Sequence, residues 1–225
     1  LWKKSISATE TVKEVSKMIS QGAPTPVAGP NGIYVFFESG DLLAFDHNGK
    51  QRWSRKLTKE FGQFKGGHGV GSSLLGVPEG LVLLIDHDGP SYLLCVDRVN
   101  GKTRWKSPRE PRVSWTTPLY LEHQGEEQII ISSNGIIEAY QLSSGKKIWW
   151  FDDIQKNTVA SPSSKQGLVV AASSYPKQNL AIRLGGKGNI TETHLKWRAK
   201  SVTSSFASPL IHNNIVYFIN RAGTL

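Results

Sequence analysis

The sequence holds one cysteine and one methionine in 225 residues. A single thiol excludes a disulfide framework and any zinc site built on two or more thiolates. No stretch approaches 18 consecutive apolar residues, so a transmembrane helix is excluded. Glycine and proline, at 22 and 11 residues, are near ordinary usage, which excludes collagen-like and low-complexity chains. With 38% hydrophobic and 20% charged residues, the composition is globular and supplies a core for one or two domains. The start, Leu1-Trp2-Lys3-Lys4, has neither an initiating methionine nor the apolar segment of a signal peptide. It reads as the end of a strand. Arg221–Leu225 also stops in mid-pattern, so the chain is expected to be a piece of a longer one.

Acidic residues are scarce. Asp and Glu number 18 against 27 Lys and Arg, a formal charge of +9. The excess is uneven: +4 over residues 1–65, −1 over 66–150 and +6 over 151–225. Nucleic-acid readers concentrate charge in a stripe with interleaved aromatics. Here the lysines are mostly single and sit beside turns. The expectation is a solvated basic surface, with contact to an anionic surface as its functional alternative and no nucleic-acid partner.

What is present is periodicity. Trp2, Trp53, Trp105, Trp149 and Trp197 are spaced by 51, 52, 44 and 48 residues. A second marker, Thr25-Pro26, Ser73-Leu74, Thr117-Pro118, Ser161-Pro162 and Ser208-Pro209, keeps the same period. Each unit carries four short strand signals. Strand A follows the Ser/Thr marker. Strand B is a β-rich run such as Ile33–Phe37, strand C is an apolar run around a small residue, and strand D carries the tryptophan. Between C and D stand Asn48-Gly49, Asn100-Gly101 and Ser144-Gly145, pairs that accept the positive φ of a tight hairpin. The fourth unit has a longer loop there, Gly185–Thr193.

Four antiparallel strands per 44–52 residues describe a β-propeller blade, a sheet that buries both faces only by stacking on its neighbours. The fold class is therefore all-β, with about five repeats present. They fall at 1–2 (the last strand of a blade), 24–56, 72–108, 116–151, 160–199 and 207–225, the last truncated. The repeat tryptophans are expected to be structural, filling the wedge between blades. Aligning strand C puts Ala44, Cys95, Ala139 and Ala181 in one column, so Cys95 is expected to be a small buried hydrophobe.

Copies such as Gly32–Trp53 read Gly-Ile-Tyr-Val, then Gly-x-Leu-x-Ala-x-Asp, then Asn-Gly-Lys-x-x-Trp. This repeat resembles the pyrroloquinoline-quinone-type propeller repeat of quinoprotein alcohol dehydrogenases and of BamB-like outer-membrane assembly lipoproteins. Gly67–Ser73, Asp86–Gly89 and Thr191–His194 further resemble bacterial proteins of the planctomycete and acidobacterial type. The resemblance implies a seven- or eight-bladed ring of which this chain is part, and a periplasmic or extracellular location. Quinone-using members clamp the cofactor with a Cys-Cys disulfide against a tryptophan and bind calcium nearby. One cysteine cannot form that clamp, so neither pyrroloquinoline quinone nor calcium is expected, although blades outside the chain could supply these parts.

Two long loops precede strand A, Lys3–Ala23 and Ser54–Gly71, so one face is elaborated. In the first, Val12, Val15, Met18 and Ile19 fall at helical spacing with Thr9 placed to cap, which predicts a short amphipathic helix. The candidate ligand-binding residues are His68, Asp86, His87 and Asp88 on the second unit, with Arg112 and Trp115 on the loop before the third. Imidazole beside carboxylate holds metals or moves protons, and an aromatic near arginines stacks planar or anionic ligands. Asp-x-Asp-Gly is equally an ordinary turn, and neither a catalytic residue nor a metal site is assigned. His47, His123, His194 and His212 are expected to be solvated. The functional expectation is an exported, non-catalytic binding or scaffold propeller whose loop-rich face meets a protein partner or a small ligand. A quinoprotein dehydrogenase and the sensor ectodomain of a signalling protein are the competing readings.

Overall fold

The computed structural model describes residues 1–12, 20, 22–78, 80–204 and 206–224. The helix expected over Val12–Ile19 falls largely on residues outside the described ones. Thr9, its expected cap, gives its N–H and hydroxyl to Asp41, at 2.8 and 2.5 Å.

The chain divides into two compact units, Leu1–Arg112 and Val113–Leu225. The first holds two antiparallel sheets. One is β1 (Val27–Gly29), β2 (Gly32–Phe36), β3 (Asp41–Phe45) and β4 (Gln51–Lys56), in that order. After a short helix, α1 (Leu57–Phe61), comes the second: β5 (Leu75–Val77), β6 (Gly80–Ile85), β7 (Ser91–Asp97) and β8 (Thr103–Arg109). Their shared core joins Tyr34, Phe36, Leu42 and Ala44 to Leu81, Leu83, Ile85, Leu94 and Val96. Strand alternation selects these residues, since every second side chain points to one face.

The second unit repeats the plan with β9 (Leu119–His123), β10 (Glu126–Ser133), β11 (Ile136–Gln141) and β12 (Lys147–Phe151). Its next sheet is β13 (Ser163–Lys165), β14 (Leu168–Ala171), β15 (Leu180–Arg183) and a fourth strand reached through a long loop. That loop contains β16 (Gly188–Asn189) and α2 (Thr191–His194) before β17 (Leu195–Arg198) completes the sheet. β16 pairs in parallel with β12 and makes that sheet five-stranded. Thr191 and Asn189 donate to Asp152, at 2.7 and 3.2 Å, and fix the loop over an edge strand that would otherwise show unpaired amides. The pair β18 (Leu210–His212) and β19 (Ile215–Tyr217) follows.

The same register recurs in all four full sheets. Ala44 faces Trp53, Cys95 faces Trp105, Ala139 faces Trp149 and Ala181 faces Trp197. A register shift follows the small residue each time, between Ala44/Phe45, Cys95/Val96, Ala139/Tyr140 and Ala181/Ile182. At this position in each sheet the small residue makes room for the indole ring. Cys95 is buried, and burial pushes its thiol up to about 11.

Two further devices explain why the markers repeat. In the first unit Trp2 and Trp53 each lie against the hairpin glycine of the following sheet. A Cβ on Gly49 would fall 2.6 Å from the Trp2 ring, and one on Gly101 2.7 Å from Trp53. The indole N–H groups donate to His47 O (2.9 Å) and Arg98 O (3.1 Å). Only glycine tolerates both the positive φ and the contact. The Ser/Thr markers form a second line of stitches. Ser73 Oγ accepts from Thr25 N–H, Ser161 Oγ from Thr117 N–H and Ser208 Oγ from Ser161 N–H, at 2.9, 2.9 and 3.0 Å. The tryptophans are unequal in burial: Trp149 is wholly buried, whereas Trp2 is 41% exposed.

Candidate functional site

The loop Leu57–Val70 carries the chemistry of the first unit. It is stitched at both ends to turns between strands. At its start Leu57 N–H donates to Gly40 O (2.8 Å) and the Thr58 hydroxyl to Ser39 O (3.2 Å), which ties it to the β2–β3 turn. Further on, Asp88 N–H donates to Lys65 O (3.1 Å) and Lys65 N–H to His87 Nδ1 (3.1 Å), which ties it to the β6–β7 turn. Gly89 N–H donates to the same nitrogen at 2.9 Å.

His87 is 3% exposed and packs against Phe64, ring centroids 5.6 Å apart. Two backbone donors on Nδ1 fix the tautomer with hydrogen on Nε2. Burial lowers the imidazole pKa; a hydrogen bond to the Pro90 backbone and the charges of Asp86 and Asp88 oppose the shift, and Lys65 adds to it. At neutral pH the ring is an uncharged acceptor that joins loop to turn.

Asp86 is wholly buried. Arg109 Nε lies 2.9 Å from Oδ1 and an Arg109 terminal nitrogen 3.3 Å from Oδ2, a forked pair with both side chains out of water. Removing two charges from solvent is costly, and this bidentate geometry compensates for it. Asp88 and His68 are exposed. Gly66 lies against the Asp88 carboxylate, where a Cβ would come within 2.8 Å of Oδ2.

The candidate set is therefore split. His87 and Asp88 meet the loop, Asp86 turns inward to Arg109, and His68 and Asp88 reach solvent. Arg112 closes the first unit, its Nε donating to Glu110 O at 3.3 Å. Trp115 belongs to the second unit, where its N–H donates to Thr158 O at 2.7 Å. Among the four histidines expected in solvent, His47 and His212 are exposed but His123 and His194 are half-buried. His194 Nδ1 lies 2.7 Å from Thr193 Oγ1, and its ring occupies the space over Gly186.

Three contributors were absent from the sequence expectation, Glu38, Ser91 and Asn157, and Arg109 entered it only as an arginine near Trp115, not as the partner of Asp86. Arg109 had a signal, because Trp105, Ser107 and Arg109 alternate along β8 and share its buried face. Ser91 exchanges hydrogen bonds with the His87 backbone at 3.1 and 3.0 Å. Asn157 is fully buried. The two hydrogens of its amide nitrogen are shared among Ser132 Oγ, Ser133 O and Ile136 O, and its amide oxygen accepts from Gly135 N–H, so it plugs the β10–β11 turn. Among the described residues no group of three His, Cys, Asp or Glu side chains converges as a metal site requires. No helix among them is long and apolar enough to cross a membrane.

Against known proteins, the sequence matches the family described as outer membrane protein assembly factor BamB, over residues 1–149 and 62–225. No curated protein sequence matches. Among solved structures, the chain is similar to BamB from Moraxella catarrhalis, with 16% identity and a TM-score of 0.62, covering 86% of this chain and 56% of that one. It is also similar to quinohemoprotein alcohol dehydrogenase from Comamonas testosteroni, with 10% identity and a TM-score of 0.55, covering 75% of this chain and 36% of that one. At these identities the likeness is one of fold, and the chain spans about half the length of the BamB structure.

Proposed function

The chain belongs to the family of the outer membrane protein assembly factor BamB, and we propose that it is a non-catalytic binding and scaffold propeller. It acts outside the cytoplasm, in the periplasm or extracellular space, and offers the loop-bearing edge of its blades to a partner protein or a small ligand. The observation that supports this reading is the use made of Asp86 and His87. A general base needs a lone pair facing substrate. The His87 Nδ1 lone pair already accepts two backbone N–H groups, and both Asp86 oxygens face Arg109. His87 ties down the loop Leu57–Val70, Asp86 holds Arg109 at the end of β8, and His68 and Asp88 are left at the surface as contact residues.

The test uses the full-length protein in its own cell envelope. Photo-crosslinking side chains are placed at His68 and Asp88, with Gln124, an exposed turn residue, as the control position. The expected result is one adduct of defined mass from the two loop positions and none from the control. The same protein is titrated with pyrroloquinoline quinone and calcium and assayed for dye-linked alcohol oxidation. Stoichiometric binding with turnover overturns the scaffold reading in favour of a quinoprotein dehydrogenase.

A further inference from the structure

We propose that the cavity beneath the loop Leu57–Val70 is a binding site for an organic cation, with Glu38 as its anionic anchor and a guanidinium as its best-fitting ligand group. The cavity measures about 420 Å³, and its wall includes Glu10, Glu38, Ser39, Thr58, Phe64 and Lys65.

Glu38 is 6% exposed, and its Oε2 has no hydrogen-bond partner among the described residues. A buried carboxylate oxygen without a donor is costly, and native structures keep few of them. Burial pushes this carboxyl above the usual range. Asp41, three residues on, shows the contrast. Burial raises its pKa too, but Ser39 and Thr9 donate to it, with Lys56 adding a favourable charge, and the net shift is downward. The free oxygen of Glu38 is thus a property of that position and not of the turn.

The carboxylate is also held in place. Gly69 leaves the room it occupies, since a Cβ there would fall 1.8 Å from Oε1. Lys65, a cation on the wall, runs its stem along the Gly89 turn, where a Cβ would come within 3.2 Å of Lys65 Cδ.

The chemistry of the wall selects the ligand. The Thr58 hydroxyl spends its hydrogen on Ser39 O, and the Ser39 hydroxyl spends its own on Asp41. Both oxygens keep acceptor lone pairs, as does Glu38. With Glu10 these acceptors suit a group that has several N–H donors and a positive charge; Gln63 and Lys65 are the side-chain N–H donors on the described wall. Phe64 adds an aromatic surface of the kind that attracts such cations. A metal ion would need more converging carboxylates than the described residues supply. Guanidinium carries five donors in a planar fork, and ammonium three. The group arrives on a partner's arginine side chain or as a free small molecule. This proposal deepens the scaffold reading and rests on it only for that source.

The test is calorimetric titration of the full chain with N-acetyl-arginine amide, and with the citrulline analogue as the uncharged control. The expected result is saturable binding of the arginine probe, at least tenfold weaker for citrulline and for Glu38→Gln. Thr58→Val, which removes one acceptor, is expected to weaken binding several-fold and serves if Glu38→Gln folds poorly. Affinity is expected to fall as Glu38 protonates on acidification; among the described residues Glu10 and Lys65 are the other charged groups on the cavity wall. Equal binding by Glu38→Gln, equal binding of citrulline, or no saturable binding overturns the proposal. A peptide presenting arginine within eight residues separates the sources: tighter binding than the free probe assigns a partner side chain, and equal binding a small molecule. Cross-linking can fail while cation binding persists, and the reverse, so the two proposals fall separately.

Discussion

In the second unit the loop that leaves β12 sends Asn157 beneath the β10–β11 turn, where its amide is hydrogen-bonded through both its nitrogen and its oxygen. In the first unit the loop that leaves β4 passes the equivalent turn between β2 and β3. There it leaves Glu38 buried, without a partner at Oε2, at the edge of a cavity. Both loops also tie onto the next sheet of their unit. Lys65 bonds to His87 and Asp88 in the first, and Gln155 and Lys156 accept from the Ser173 hydroxyl and Ser174 N–H in the second. One architecture thus closes one turn with a satisfied amide and leaves the other open around an unsatisfied acid. The satisfied group contributes stability, and the unsatisfied one forgoes it.

The largest expected effect tests whether the two units share one mode of construction. Trp149→Ala, in a wholly buried site, should cost roughly 3–5 kcal/mol, the range for truncating a large aromatic in a core. Trp2→Ala, at a 41% exposed ring, should cost clearly less. Equal losses of melting temperature would show that burial does not set the tryptophan contribution.

Asn157→Ala should come next. It removes the acceptor of the Gly135 N–H and a donor to the Ser133 and Ile136 carbonyls; a buried polar group left unpaired costs about 1–3 kcal/mol, and a loss in that range is expected by denaturant unfolding. Hydrogen exchange at Gly135 should accelerate in the same variant, and an unchanged rate would remove the plug from the account.

Glu38→Gln should act in the opposite direction. The carboxyl is raised above its unfolded value, so the folded state prefers it protonated. Its penalty is absent below the unfolded pKa, grows as pH rises through the folded pKa, and is constant above. The variant should therefore unfold at a higher temperature than the parent at neutral pH and at the same temperature in acid. A variant less stable at neutral pH would mean that Glu38 is satisfied in solution, and the contrast with Asn157 would be lost.

The smallest effect concerns the column opposite the tryptophans. Cys95→Ala gives the second sheet the residue that Ala44, Ala139 and Ala181 supply to the others, and should cost about 1 kcal/mol or less. With its thiol buried and pushed up to about 11, Cys95 should react with a thiol reagent at pH 8 only as fast as the protein opens. Rapid labelling without denaturant would break the equivalence of the column.

The sheets and their register were legible because each rests on a short, repeated steric demand. A tryptophan requires a small residue across from it, and the following hairpin requires a glycine beneath the ring. A Ser/Thr before strand A is repeated because its oxygen accepts the preceding marker's N–H. Such demands leave a period in the chain. Asp86, His87 and Asp88 show where that legibility stops. Three adjacent polar residues read as one patch, yet successive side chains at a strand end diverge. Asp86 enters an ion pair, His87 bridges a loop and Asp88 reaches water.

By itself, then, the sequence determined the all-β repeat, its blade register and the columns of tryptophan, small residue and hairpin glycine, because those are set by neighbours a few residues or one strand away. Only the tertiary structure decided which polar groups are satisfied. Arg109 reaches Asp86 across 23 residues, Asn157 reaches Ser132 across 25, and β16 crosses to β12 from another sheet's loop. Glu38 lies under a loop that brings it no donor. Whether a buried acid finds a donor depends on where a distant loop returns, and that is fixed by packing rather than by local pattern.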